Sequence, residues 1–273
     1  RPLLILADRL ATAVEAVHPL LLDDAGDRAL FGVYRSTPEL LARELAGPTL
    51  VDRQLAFAGG AAHQAVVVRA LHEAASELSH FAPVARAPGF ARVLARALDE
   101  LAHHRVGPEE LRAEGGVTAR ELALLVLSYR RLLAEEGLID RAGLLDAAME
   151  RLERHDLDGH PLRGGAALLL DLELRTPLEA DFLRALGRLD VELTALVPHG
   201  DGDTLAVLEQ LAGDALEAHQ VTTPEAAGSA LSRLQGQLFA DVVETANEQA
   251  EGAEEATPSL EIFSGPTPQV RIV

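Results

Sequence analysis

The sequence predicts an α/β protein whose parallel sheet is interrupted by a long helical insertion. Short, continuous apolar runs of the kind that form buried parallel strands occur at Pro2–Ala7 and Ala166–Asp171. About a hundred residues between them follow helical periodicity instead. Further strand and helix patterns then alternate, which is typical of a sheet with crossover helices.

Residues 1–50 form the first predicted part of the α/β domain. Pro2–Ala7 and Ala29–Arg35 are its predicted strands. Asp8 is a suitable N-cap for a helix over Arg9–Val17. A second helix is predicted to begin after an N-cap at Ser36 or Thr37, with Pro38 in its first turn. Gly47-Pro48 is its predicted stop.

Residues 51–160 are predicted to be an all-helical insertion. One amphipathic helix has its apolar residues at i, i+3, i+4, i+7, i+8 and i+11, namely Phe90, Val93, Leu94, Ala97, Leu98 and Leu101. Two more helices are predicted over Glu121–Glu136 and Arg141–Arg154. Between them, Gly137 suits a helix C-cap and Asp140 suits the next N-cap.

Residues 161–240 are predicted to return to the α/β domain. The predicted strands are Ala166–Asp171 and Val191–Val197, and the predicted helices are Leu178–Gly187 behind Pro177, a helix from Asp203 or Thr204 to about Leu216, and Ala226–Phe239. Residues 241–258 form an acidic linker. Residues 259–273 hold a final strand, Ser259–Ser264, or the start of another element, as expected of a piece of a longer polypeptide.

The composition excludes several classes of chemistry. Lysine and cysteine are both absent, so all 24 residues counted as Lys or Arg are arginine. A P-loop and a Schiff-base enzyme each need a lysine amine, and thiol catalysis, disulfides and cysteine metal sites need sulfur. No apolar run approaches the length of a membrane helix. We therefore expect a cytoplasmic protein without a cofactor or a membrane partner.

The net charge of −19 disfavours a simple nucleic-acid binder, but the charge is uneven. Residues 241–261 contain seven acids and no arginine. Residues 80–106 contain four arginines against two acids, a local charge of +2. Arg86, Arg92 and Arg96 are therefore candidate DNA contacts, and the alternative is a solvated helix face.

Two sets of polar residues follow predicted strands. His199, Asp201 and Asp203 could ligate a divalent ion, or Asp203 could simply cap the next helix. Asp171 and Glu173 occupy the strand-end position of a Walker-B carboxylate. The glycine-rich phosphate loop that would accompany them is missing after the first strand, so we expect these carboxylates to cap and solvate the strand end.

Four segments, in order, resemble the B-type subunits of AddAB-type ATP-dependent helicase–nucleases. They are Leu138–Leu145 (LIDRAGLL), Leu168–Glu179 continuing through Asp181–Leu186, Leu231–Phe239 (LSRLQGQLF) and Leu260–Pro266 (LEIFSGP). The resemblance covers residues 80–273 well and the first 80 weakly. It implies an inactivated superfamily-1 helicase fold, RecA-like with an inserted helical domain. It also implies a role as a scaffold that contacts DNA and a partner helicase subunit during double-strand-break end processing.

The same resemblance assigns no catalytic residue to this chain. The family's PD-(D/E)xK nuclease would follow later in the polypeptide, and its ExK motif needs a lysine that this sequence lacks. The leading hypothesis is thus a non-catalytic, helicase-like scaffold. Two alternatives stay open: an acidic α/β protein–protein interaction module unrelated to DNA, and a metal-dependent hydrolase that uses His199, Asp201 and Asp203.

Overall fold

The computed structural model of the protein describes residues 1–21, 31–87, 89–157, 160, 162–189, 191–198, 201–212, 261–263 and 269–271. These residues belong to two compact units, Arg1–Leu196 and Val197–Val273. The first unit contains a parallel sheet and most of the helices. The predicted α/β class with a parallel sheet is confirmed.

The elements of the first unit alternate as an α/β protein requires. Its strands are β1 (Leu3–Ala7), β2 (Val33–Ser36), β3 (Ala56–Phe57), β4 (Leu138–Ile139), β5 (Ala166–Leu170) and β6 (Glu192–Leu196). Its helices are α1 (Leu10–Leu21), α2 (Pro38–Asp52), α3 (Ala61–Ala74), α4 (Phe90–His103), α5 (Pro108–Glu114), α6 (Gly116–Glu135), α7 (Arg141–Glu153) and α8 (Pro177–Gly187).

The main sheet has four parallel strands in the order β2-β1-β5-β6. Side chains alternate between its faces. Ile5 and Ala7 pack against Ala13 and Val17 of α1 on one face. Leu6 points to the other face, towards α7 and α8. Helices therefore cover both faces of the sheet, which explains why its central strand is apolar throughout.

A body of helices, α3 to α6, is inserted between β2 and β5 and has its own hydrophobic core. Its most buried side chains come from α3, α4 and α6, including Val67, Leu98, Leu125 and Leu132. Next to this body, α2 packs along α7, and α7 also packs against α8. The sheet and the inserted body thus have separate cores.

The insertion is not purely helical, which corrects the predicted all-helical composition. β3 and β4 form a two-residue parallel pair where the chain enters and leaves the helical body. Ala56 N–H donates to the carbonyl of Gly137, and Ala58 N–H donates to that of Ile139, both at 2.8 Å. Strands this short carry no periodic pattern, so sequence analysis could not detect them.

The caps of two helices agree with the prediction. The Thr37 side chain accepts from Leu40 N–H at the start of α2, and Asp140 accepts from Gly143 N–H at 2.9 Å at the start of α7. Gly137 follows α6 with a φ of +63°, a conformation that glycine adopts without strain. The predicted stop at Gly47-Pro48 is wrong, because α2 continues through both residues to Asp52.

The second unit is described only in part. It contains α9 (Gly202–Ala212) and the antiparallel pair β7 (Glu261–Phe263) and β8 (Gln269–Arg271). β7 lies within the predicted strand Ser259–Ser264. The predicted helix Ala226–Phe239 and the acidic linker 241–258 lie outside the described residues, as do Ala29 and Leu30 of the predicted second strand.

Candidate functional site

The strand order creates a crevice at the carboxyl edge of the sheet. From β1 the chain crosses to β2 on one side, and after the insertion it returns to β5 on the other side of β1. Open α/β sheets bind ligands outside the carboxyl ends of strands where the order reverses in this way. The β1–β5 junction is such a point.

A cavity of about 140 Å³ lies at this edge. β1, α7, α8 and the segment after β5 supply most of its apolar wall, which comprises Leu6, Pro38, Leu145, Leu172, Leu174, Phe182, Leu183 and Leu186. The three helices beside the cavity all have side-chain N-caps. Thr37 caps α2, Asp140 caps α7, and Thr176 with Glu179 forms a capping box on α8. The wall is thus built on regular elements.

Five charged residues line the same cavity: Asp8, Glu39, Arg141, Glu173 and Glu179. Three of the carboxylates are engaged by neighbouring groups. Glu39 accepts from Arg43 at 2.6 Å, Glu173 pairs with Arg175, and Glu179 accepts from the backbone N–H groups of Arg175 and Thr176, both at 3.2 Å.

The remaining two charged groups lack hydrogen bonds. Within the described part of the chain, no hydrogen bond or ion pair reaches the Asp8 carboxylate, and none joins it to Arg141. Arg141 Nε is buried without a hydrogen-bond partner, and the nearest carboxylate oxygen, Glu39 Oε2, is 3.7 Å away. Partial burial raises the pKa of Asp8, and the negative charge of Glu179 raises it further. An exposed carboxylate, Asp8, and a partly exposed guanidinium, Arg141, whose buried Nε has no hydrogen-bond partner, therefore line one cavity.

Asp8 is not the helix cap that sequence analysis predicts. α1 begins at Leu10, and Ala13 N–H in its first turn donates to the carbonyl of Arg9 at 3.4 Å. No described N–H group of this turn donates to the Asp8 side chain. Asp8 instead follows β1 directly and lines the cavity. The residue after a buried parallel strand lies at the binding edge of the sheet, so topology outweighs capping propensity here.

The two residues of the Walker-B-like pair, Asp171 and Glu173, lie in different surroundings. Asp171 lies exposed just beyond β5 with a φ of +50°, and its backbone N–H donates to the carbonyl of Leu196 at 3.0 Å. Asp tolerates this left-handed conformation better than most residues. Glu173 reaches the cavity, where it pairs with Arg175.

The candidate metal ligands are only partly described. His199 lies outside the described residues. Asp201 Oδ1 accepts from Thr204 N–H at 3.1 Å and thereby caps α9, a role for which Asp203 was the candidate if it does not bind a metal. Asp203 is exposed in the first turn of α9. Among the described residues, no group of three or more His, Asp or Glu side chains is arranged to hold a metal ion.

The candidate DNA contacts lie together on the helical body. Arg92 and Arg96 are one turn apart on α4, and Arg86 precedes that helix; all three are exposed. No ion pair or hydrogen bond to their guanidinium groups is found in the described part of the chain. Arg105, from the same basic stretch, is instead paired with Asp146 at 2.8 Å and Asp181 at 3.6 Å.

A buried carboxylate anchors the loop in front of these arginines. Glu121, on α6, is 6% exposed and accepts hydrogen bonds from the backbone N–H groups of Ser79, His80 and Phe81 at 2.6, 2.8 and 3.0 Å. The Ser79 hydroxyl donates to it as well, at 2.6 Å. Phe81 in turn contacts Phe90 of α4 with ring centroids 5.6 Å apart. Glu121 therefore fixes the loop that leads to the arginine surface.

Most of the residues that line the cavity carry no signal in the sequence. Glu39, Arg141 and Glu179 come from the first turns of three helices, and spacing along the chain gives no sign that they meet. A signal existed only for Asp8 and Glu173, which follow predicted strands. Glu121 was equally undetectable, because its partners are backbone groups about 40 residues earlier.

No protein-family model matches the chain, and no curated protein matches it significantly in sequence. No helix among the described residues has the length and apolar character needed to cross a membrane.

Proposed function

We propose that this chain is a non-catalytic, RecA-like scaffold of a DNA end-processing helicase–nuclease, which contacts DNA and docks a partner helicase subunit. The observation that carries the proposal is the arginine surface formed by Arg86, Arg92 and Arg96. Most other described arginines are neutralised by carboxylates, for example Arg53 by Glu150 at 2.7 Å and Arg69 by Glu136 at 2.5 Å. Three exposed, unneutralised guanidinium groups in an acidic protein are suited to phosphate contacts.

The residues at the carboxyl edge of the sheet support the part of the proposal that assigns no motor activity to this chain. β1 is joined to α1 by only Asp8 and Arg9, so no glycine loop is present to surround a triphosphate. Four of the five charged residues that line the adjacent cavity are carboxylates, and their combined negative charge disfavours a multiply charged triphosphate. Adding Mg-ATP should therefore leave the melting temperature unchanged, and a rise would contradict this part of the proposal.

The negative net charge supports the need for a partner. Phosphate contacts by three arginines must compete with a formal charge of −19 on the whole chain. The chain alone should therefore bind DNA weakly and mainly at low salt, with the partner subunit adding to the binding surface. The partner itself is inferred from the family resemblance.

A salt titration of forked-DNA binding tests the arginine surface. Fluorescence anisotropy should show binding that weakens steeply as salt rises. Replacing Arg86, Arg92 and Arg96 together with glutamine should flatten the plot of log K against log salt by about 2–3 units, since each lost phosphate contact removes about 0.7–0.9.

A second triple variant serves as the control, because it removes the same number of positive charges at other exposed positions. Arg112, Arg154 and Arg188 are exposed but lie within 4 Å of carboxylates, so the same three-fold replacement there should change the slope by less than about one unit. Equal slopes for the two triple variants, or no DNA binding at low salt, would contradict the DNA assignment. Those results would favour the acidic protein–protein interaction module.

A further inference from the structure

We propose that the cavity at the carboxyl edge of the sheet binds a small zwitterion of the aliphatic α-amino acid class. Its ammonium group would contact Asp8, its carboxylate would contact Arg141, and its side chain would lie against the leucine wall. This site is independent of the DNA-contact proposal, because it uses no residue of the arginine surface.

The size and lining of the cavity limit the ligand. A volume of about 140 Å³ is close to that of engineered cavities that bind benzene, so the ligand has on the order of six to nine non-hydrogen atoms. Leu6, Leu145, Leu183 and Phe182 give it an apolar wall. A short aliphatic side chain fits both the volume and the lining.

Asp8 supplies the acceptor for a cationic group. Its carboxylate has no hydrogen-bond donor among the described residues, whereas Glu39, Glu173 and Glu179 each have at least one. Partial burial and the charge of Glu179 raise its pKa, so a nearby cation would stabilise the ionised form. An ammonium group can donate to Asp8 without displacing an existing contact.

Arg141 supplies donors for an anionic group. Its side chain donates no hydrogen bond to any described residue, and its buried Nε stays 3.7 Å from Glu39. Buried donors normally have a partner, because an unmade hydrogen bond costs the full desolvation of the group. A ligand carboxylate is the acceptor that a guanidinium fork recognises best.

The charge count explains why we infer a zwitterion. Glu39 is already paired with Arg43, and Glu173 with Arg175. Arg141 forms an ion pair with Glu39 at 3.7 Å but donates no hydrogen bond to a described residue, and the Asp8 carboxylate accepts none. Both groups therefore keep hydrogen-bonding capacity, and their charges are of opposite sign. A simple amine would use only the Asp8 carboxylate, and a simple carboxylate would use only the Arg141 guanidinium.

Calorimetric titration of the full chain with L-valine tests the proposal. A ligand of about eight non-hydrogen atoms in a partly open site should bind with a Kd of about 0.1–1 mM. N-Acetyl-L-valine lacks the ammonium group and L-valinamide lacks the carboxylate, so each should bind at least about tenfold more weakly. Because L-valinamide resembles the first residue of a peptide, it also separates a free amino acid from a chain terminus.

Two variants locate the site. Asp8→Asn and Arg141→Gln should each weaken L-valine binding about tenfold or more, since each removes a charge-assisted contact. The matched controls are Asp52→Asn and Arg120→Gln, which remove the same charges at exposed positions outside the cavity and should leave the Kd unchanged within about twofold. Melting curves of all four variants check that each is folded.

Three results would overturn the proposal. The first is the absence of L-valine binding at about ten times the expected Kd. The second is binding of L-valinamide or N-acetyl-L-valine as tight as that of L-valine, which would show that one charge suffices. The third is equal binding by the cavity variants and their controls. None of these results depends on whether the chain binds DNA.

Discussion

At the residue scale, Glu121 shows how a buried charge can be retained in a helical core. Burial raises the pKa of this carboxyl, but hydrogen bonds from Ser79, Phe81 and His80 outweigh burial and lower the pKa to about 2. A carboxylate with several N–H and O–H donors is stabilised in its ionised form. Glu121 therefore couples the protonation state of the protein to the order of one loop.

Replacing Glu121 with glutamine should change the acid dependence of stability. A carboxyl whose pKa falls on folding contributes stability above its ordinary pKa near 4.5, and that contribution is lost as pH falls towards 2. Glu121→Gln should therefore lower the free energy of unfolding at pH 7 and flatten its decline between about pH 4.5 and 2. Urea unfolding across this pH range measures both effects.

Glu77→Gln is the control for that experiment. Glu77 is exposed near the same loop, so its replacement should leave the pH profile almost unchanged. If the free energy of unfolding of Glu121→Gln depended on pH between 4.5 and 2 as it does in the wild type and in Glu77→Gln, the role assigned to Glu121 would be wrong.

Residue-level prediction from sequence succeeded where the cause is local. Thr37, Asp140 and Gly137 act as predicted because capping needs only the neighbouring backbone. Asp8 does not cap the first helix, and Asp201 rather than Asp203 caps α9. Asp8 follows β1 at the binding edge of the sheet, where topology outweighs capping propensity. At α9, two aspartates near the helix start were available, and local preference could not choose between them.

At the element scale, α2 shows tertiary contacts overriding a strong local signal. A proline inside a helix costs roughly 3 kcal/mol, which is why Gly47-Pro48 predicts a stop. The helix continues because α7 holds its far end. Arg53 contacts both carboxylate oxygens of Glu150 at 2.7 and 2.8 Å, and Arg151 donates to the carbonyl of Leu45 at 3.1 Å.

A pair of substitutions on α6 measures how much the helical body depends on its own core. Leu132 is fully buried and Leu127, on the same helix, is 39% exposed. Leu132→Ala should reduce the free energy of unfolding by about 2–5 kcal/mol, because it leaves a cavity. Leu127→Ala should cost less than about 1 kcal/mol.

Chemical denaturation followed by circular dichroism compares the two variants. Both replacements remove the same atoms from the same helix, so differences in helix propensity cancel. Similar losses of stability in Leu132→Ala and Leu127→Ala would contradict the burial pattern of α6.

At the scale of the whole molecule, the sequence predicted the α/β fold class but not the order of the strands in the sheet. Continuous apolar runs identified β1 and β5, β6 lies within the predicted strand Val191–Val197, and parallel pairing followed from the intervening helices. The position of β1 between β2 and β5 joins residues about 160 positions apart, and no local pattern encodes it. The cavity depends on that arrangement, so its lining could not be predicted.

The helical body should fold on its own. Its core residues run from Ala58 to Leu133, and its two chain ends are brought together by the β3–β4 pair. A fragment spanning residues 55–139 should therefore give a helical circular dichroism spectrum and a cooperative thermal transition. A random-coil spectrum for the fragment, with the full chain folded under the same conditions, would show that the body needs the sheet.

The β3–β4 pair also has a topological consequence. The chain enters the body after the carboxyl end of β3 and leaves it before the amino end of β4. The bonds from Ala56 to Gly137 and from Ala58 to Ile139 hold these two connections side by side. A movement that spreads the two connections apart must break both bonds, so the pair closes the base of the body.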